Sequence, residues 1–306
     1  MTVHLFTPRI YYNTFGNHEP VLKISPEDRV ITTTADAHGY NERMEQVALK
    51  DNPLTGPFYI EGAEPGDALA VHLEITRPNR NTGWSSSIFD PIVVEPSYIR
   101  KLPEKEYINW NIDRRNRTAE YIDPLTDSTV LVLPLLPMLG CIGIAPPQGQ
   151  LISSRTSGEY GGNMDYRGFS EGATVYFPVF EEGALLYIGD GHALQGDGEP
   201  VGSGIETSFS VQFSVDILKR KGIQWPRGES SEHIFTVGNA RPLEQAARHA
   251  LTEMIRWLQE DYGLKMEVSS MVLGQCAEFD LGNIFNPAYT MACKLKKNII
   301  EDLINR

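Results

Sequence analysis

Hydrophobic alternation with a period of two, repeated through about a dozen short segments before any helical pattern, constrains this 306-residue chain most. Successive side chains of a strand point to opposite faces, so such segments fit a sheet with one buried face. Val30, Thr32, Thr34 and Asp36 share a face of Arg29–Asp36, and Leu69, Val71, Leu73 and Ile75 share one of Ala68–Thr76. Ile108, Trp110 and Ile112 alternate, and Glu19–Lys23, Thr129–Leu133, Ala173–Phe180 and Ala184–Ile188 read as further strands. The cleanest strand sets Ile205, Thr207, Phe209, Val211, Phe213 and Val215 against Glu206, Ser208, Ser210, Gln212 and Ser214. The first clear helix, Arg241–Tyr262, repeats Leu243, Ala247, Leu251, Met254, Ile255 and Leu258 at helical spacing, with Pro242 at its start and Gly263 past its end. Val268–Cys276 reads as a second helix, Tyr289–Asn305 as a strand and a short helix, and Asn41–Leu49 as a short helix. Strands followed by helices predict a mainly β fold, a β-sandwich with an α+β C-terminal part, and not a βαβ fold. The division expected is a β-sandwich domain over 1–216, carrying the site, and an α+β subdomain over 217–306 packed on it.

Candidate chemistry concentrates between Gly161 and Glu206, where Asp165, Asp190, His192, Asp197, Glu199 and Glu206 lie among glycines. Carboxylates with an imidazole are hard metal ligands or acid–base groups. Asp190 and His192 are two apart, as are Asp197 and Glu199, so in extended backbone each pair shares a face. Glycines at 189, 191, 196 and 198 permit the sharp bends that aim short acids at one point. The competing reading is a solvated acidic loop or a structural calcium loop. Asp36, ending its strand before His38-Gly39, is either a ligand or an aspartate capping its own turn. His72 lies mid-strand on a polar face and reads as exposed or hydrogen-bonded. The Ser- and Gly-bearing segment Gln148–Tyr160 reads as a flap, and Arg114, Arg115 and Arg117 as a solvated hairpin tip.

The blocks GGNMD, FPVFEEGALLYIGDGHALQGDGE and GSGIE resemble the core signature of the acetamidase/formamidase family. MLGCIGIAPP (Met138–Pro147) and GPFYIEGAEPGD (Gly56–Asp67) resemble two of its other recurring blocks. TTTADAHGY (Thr32–Tyr40) resembles its N-terminal aspartate block, with His38 and Tyr40 where other members often differ. The likeness runs over roughly Pro20–Val215 and implies a jelly-roll-like sandwich with helices near the C-terminus. It also implies a small-amide hydrolase that assembles as a homo-oligomer, most simply a dimer, for which the apolar face of Arg241–Tyr262 offers a surface.

Amide hydrolysis needs a nucleophilic water, a polarised carbonyl and a protonated leaving nitrogen. Asp36, Asp190, His192 and Glu206 are the expected ligands of a divalent metal, or the groups that hold those ligands. Glu199 is the expected proton shuttle, with Asp165 and Asp197 as supporting acids and Asn163 as a hydrogen-bonding group for the amide. Mixed nitrogen and oxygen ligands favour zinc, and an all-oxygen set calcium. The alternative is a non-catalytic, calcium-stabilised β-sandwich binding module. Cys141, in LGCIG, lacks the lysine and glutamate setting of a nitrilase-like nucleophile, and with Cys276 and Cys293 it reads as a reduced thiol. A net charge of −13 argues against nucleic acid as a partner. No apolar run approaches a membrane span and no signal peptide is visible, so a cytoplasmic protein is expected.

Overall fold

The computed structural model describes residues 1–304. Two large sheets face each other. One has nine strands in the order Val3–Leu5, Arg29–Thr34, Phe209–Leu218, Ala68–Pro78, Thr174–Pro178, Arg227–Glu229, His233–Ala240, Tyr289–Lys296 and Glu278–Asn283. The other has eleven, and its centre is Leu186–His192, flanked by Met138–Gly143, Leu54–Ile60 and Glu206–Thr207. Val30, Leu69, Val71, Val175 and Phe213 from the first sheet meet Leu54, Phe58, Leu139, Leu186 and Ile188 from the second in one core. Phe58 and Phe213 meet edge to face across it, at 5.2 Å between centroids. Each such fully buried aromatic stabilises the sandwich by about 1.5–3 kcal/mol.

The alternating stretch after Ile205 does not stay in one sheet. Glu206–Thr207 pairs with Leu186–His192, whereas Phe209–Leu218 pairs with Arg29–Thr34 and Ala68–Pro78. The buried Ser208 between them marks the crossing, and its carbonyl accepts the Asn79 amide. Along Phe209–Leu218 the expected alternation holds, with Phe209, Val211, Phe213 and Val215 buried.

The C-terminal part extends the nine-stranded sheet with Arg227–Glu229, His233–Ala240, Tyr289–Lys296 and Glu278–Asn283. The expected boundary at 216/217 falls inside the strand Phe209–Leu218. His233–Ala240 is buried on both faces: Phe235 and Val237 enter the main core, and Ile234 joins a second cluster with Ala250, Met254, Leu258 and Leu295. That second cluster is covered by α1 (Leu243–Glu260), with α2 (Met266–Cys276) and α3 (Lys297–Ile304) beside it. The apolar face of α1 is thus buried within the chain, which corrects its expected role as an assembly surface. Asn305, the end of the expected tail helix, lies outside the described residues.

Two other expectations change. Asn41–Leu49 forms turns and no helix, because the Asn41 carboxamide accepts the amides of Arg43 and Glu45 and Met44 takes a left-handed φ of 60°. The expected flap is stitched down: Ser154 is fully buried, and its hydroxyl donates to the carbonyls of Asn13 and Asp51. His72 bonds Thr174 and Asp216, as its polar face predicts.

Candidate active site

The strand expected over Ala184–Ile188 runs instead over Leu186–His192, and so carries Asp190 and His192 into the middle of the eleven-stranded sheet. Register sets Glu206 directly opposite His192. Asp165 follows the short strand Gly161–Asn163, which pairs with Met138–Gly143. Asp165, Asp190 and Glu199 all have left-handed backbone, with φ of 46°, 56° and 50°. Side chains rarely adopt that region without surrounding structure to hold them there, and such strain concentrates at functional sites. Gly140 makes the close approach possible: a Cβ there would stand 2.6 Å from Asp165 Oδ1 and 2.7 Å from Asp190 Oδ2.

Three acids share one pattern, in which one oxygen is held and the other left free. Asp165 Oδ2 accepts Asn286 Nδ2 at 2.5 Å and Asn283 Nδ2 at 3.4 Å. Asp190 Oδ2 accepts Asn52 Nδ2 at 3.0 Å, and Glu206 Oε1 accepts the Gly204 amide at 3.0 Å. Asp165 Oδ1, Asp190 Oδ1 and Glu206 Oε2 are buried without a hydrogen-bond partner. His192 repeats the pattern. Its Nδ1 lies 2.7 Å from Gln195 Oε1, and Gln195 is oriented by its own donation to the carbonyls of Asp165 and Gly282. The carboxamide oxygen can only accept, so Nδ1 carries the proton. His192 Nε2 lies 2.9 Å from Glu206 Oε1 and 3.4 Å from Asp190 Oδ1, yet neither contact has hydrogen-bond geometry.

Electrostatics makes this cluster demanding. Burial pushes the Asp165 carboxyl well above the usual range, and the Asp190 charge adds to it. Burial and the charge of Asp165 do the same to Glu199. Burial and Asp190 push Glu206 up to about 7, against the opposing pull of His192. Burial disfavours the His192 imidazolium, but Glu206 and Asp190 outweigh it and raise its pKa. Buried acids at this density need protons or a cation. Ligand atoms of Asp165, Asp190 and His192 lie within 4.8 Å of one another, as do those of His192, Glu199 and Glu206. His192 is common to both groups, and either group, with its free oxygens fixed from their far side, could hold a divalent cation.

A cavity of about 220 Å³ opens onto the cluster, lined in part by His38, Trp84, Tyr107, Asn163, Glu199 and Phe285. His38 stacks on Trp84 at 3.8 Å. Glu199 is 5% exposed. Asn163 Oδ1 accepts Asn52 Nδ2 and the Cys141 thiol, which leaves its Nδ2 as a donor. Burial, with the Asp190 charge, raises the Cys141 thiol, so a thiolate nucleophile is disfavoured there.

Of the residues expected from sequence, Asp165, Asp190, His192, Glu199 and Glu206 come together, with Asn163 beside them. Asp36 does not join them as a free ligand. Its Oδ2 pairs with Arg80 at 2.5 Å and accepts Trp84 Nε1, while Oδ1 caps its own turn through the amides of His38 and Tyr40. Asp197 points away and pairs with Arg167 at the surface. The expected shared face of Asp197 and Glu199 fails because Gly198 and Glu199 both turn left-handed, so the segment is not extended. Sequence reasoning missed Asn52, Gln195, Asn283 and Asn286. Gln195 stands three residues from His192, a visible spacing; the asparagines carry no local signal.

Residues 149–279 match the family described as Acetamidase/Formamidase. The crystal structure of an acetamidase from Yersinia enterocolitica is similar at 32% identity and a TM-score of 0.84, covering 98% of this chain and 93% of that one. That of an acetamidase from Bacillus halodurans is similar at 29% identity and a TM-score of 0.84, covering 98% and 99%. An acetamidase of Mycolicibacterium smegmatis is 28% identical over 245 residues, which are 62% of this chain and 59% of that protein. The matched stretch spans between 51% and 59% of the length of the curated relatives.

Proposed function

The chain belongs to the acetamidase/formamidase family, and from that premise we propose that it hydrolyses a small amide, formamide or acetamide in type, to a carboxylate and ammonia, using a divalent metal. The observation that carries this reading is the set of four buried atoms without partners, Asp165 Oδ1, Asp190 Oδ1, Glu206 Oε2 and His192 Nε2. Asp165, Asp190 and His192, whose ligand atoms lie within 4.8 Å of one another, would hold the ion with Glu206 beside His192, and the imidazole among them favours zinc over calcium. The bound ion would supply Lewis acidity toward the amide carbonyl and would acidify a water.

The chain's own groups supply the rest. Glu199 faces the cavity, and burial raises its carboxyl well above the usual range, which favours the protonated form that can pass a proton to the leaving nitrogen. Asn163 Nδ2 orients the amide oxygen, and Asn52 and Cys141 hold Asn163 in place. The stacked His38 and Trp84 form one aromatic wall of the cavity, against which a small amide can lie.

The same reading includes a cytoplasmic homodimer. Three free cysteines are in keeping with a reducing compartment. No helix among the described residues is long and apolar enough to cross a membrane. The candidate dimer surface is the edge strand Ser128–Pro134, where Val130, Leu131 and Val132 are exposed and whose copies can pair about a twofold axis.

Ammonia release from formamide and acetamide, with chelator and with zinc or calcium restored, tests the proposal. Turnover should vanish with the metal and return with zinc. Turnover that persists in protein shown to be metal-free overturns the metal part, and no turnover of any small amide overturns the whole.

A further inference from the structure

A second cavity, of about 240 Å³, shares no lining residue with the first. It lies where α1 meets the nine-stranded sheet, with Arg227 in its wall. Arg227 is only 2% exposed, yet neither Nη1 nor Nη2 has a hydrogen-bond partner. Its Nε donates to the buried Glu253 at 2.7 Å, and Glu260 Oε2 stands 3.7 Å from Nη2. Buried donors left unmade cost about 1–3 kcal/mol, more when charged.

The surroundings define what would satisfy them. Trp257 lies under the guanidinium, 5.3 Å from ring centroid to Cζ, and Tyr176 meets Trp257 edge to face. Leu218, Ile223 and Tyr262 add apolar wall. The acids of the wall are already paired: Glu229 with Lys297 and the Tyr176 hydroxyl, Asp261 with Lys221. Although Nε is paired with Glu253, both Nη groups remain without a hydrogen bond, and their fork matches a planar pair of oxygens. Glu229 and Asp261 in the same wall disfavour a more highly charged anion such as phosphate.

We propose that this cavity binds a small monocarboxylate with an apolar body, its two oxygens on the Nη groups of Arg227 and its body against Trp257 and Leu218. The site is separate from amide hydrolysis and does not depend on that reading. An occupant would join Phe209–Leu218, Arg227–Glu229 and α1, and so stabilise the C-terminal part of the sheet.

Calorimetric titration of the full chain with benzoate tests this, with benzyl alcohol as the uncharged control. Wild type should bind one benzoate per chain, and benzyl alcohol at least tenfold more weakly. Arg227→Lys, which keeps the charge but loses the fork, should weaken benzoate about tenfold or more. Because that change also touches the Glu253 pair, Leu218→Trp provides a second test by filling the cavity from the half-buried end of a strand. It should abolish binding with amide turnover unchanged. No saturable benzoate binding overturns the proposal, since water alone then satisfies Arg227. Wild-type affinity in Leu218→Trp also overturns it, since the ligand then sits elsewhere, and equal affinity for benzyl alcohol removes the carboxylate's role.

Discussion

Replacing Glu199 with glutamine separates a proton carrier from a ligand. Folding raises the pKa of this carboxyl well above its usual range, chiefly through burial. Glutamine has nearly the same shape as the protonated acid and is likewise uncharged, so the cavity should change little. What it cannot do is release and recover a proton. Loss of a general acid–base group lowers kcat by roughly 10²–10⁴, a barrier increase of about 3–5 kcal/mol. Stability should move the other way. A carboxyl whose pKa is raised on folding binds its proton more tightly in the folded state, so the wild type loses stability as pH rises above the ordinary value of 4.5. Glutamine has no such loss. Metal-free Glu199→Gln should therefore melt at or above the wild-type temperature at pH 7, and the two should converge near pH 4. Ammonia release, elemental analysis and thermal unfolding in chelator on one variant decide the matter. Near-wild-type kcat would refute the shuttle, and loss of metal along with kcat would make Glu199 a ligand.

Four further outcomes are expected. His192→Ala should lose the metal, read by elemental analysis; equal metal in variant and wild type refutes the role given to Nε2. Gly140→Ala should cost about 1–3 kcal/mol and weaken metal binding, because its methyl would press on two carboxylate oxygens; unchanged melting and metal content would contradict this. Asp28, lowered to about 2 chiefly by its bond to His4, should contribute about 1–2 kcal/mol above pH 4 after solvent screening, lost as pH falls toward 2. Urea unfolding should then separate Asp28→Asn from wild type at pH 6 and merge them near pH 2, and a constant gap counts against the pairing. Light scattering should report a dimer that Val132→Lys converts to a monomer; a wild-type monomer at micromolar concentration removes the assembly claim.

What sequence revealed here depended on locality. Asp190, His192 and Glu206 were legible because one short block holds them and one strand pair sets them face to face. The alternation of Phe209–Leu218 was legible because only one of its faces is buried. His233–Ala240 was not: with both faces covered, its pattern has no period to find. Asp197 was misjudged because a rule for extended backbone was applied to a left-handed turn. For Asp36 the turn cap was legible locally, but its pairing with Arg80, 44 residues away, was not, because nothing local announces that pair. Asn283 and Asn286 reach Asp165 from more than a hundred residues further on, which only the folded chain reveals.

The crossing at Ser208 has a bearing on how the site is held. Glu206 belongs to one sheet, but three residues later the same chain is locked into the other. Its carboxylate stands opposite His192 by pairing inside the eleven-stranded sheet, and the strand that follows ties that pairing to the other sheet. A shift of one sheet against the other would therefore pull on Glu206 through only two intervening residues.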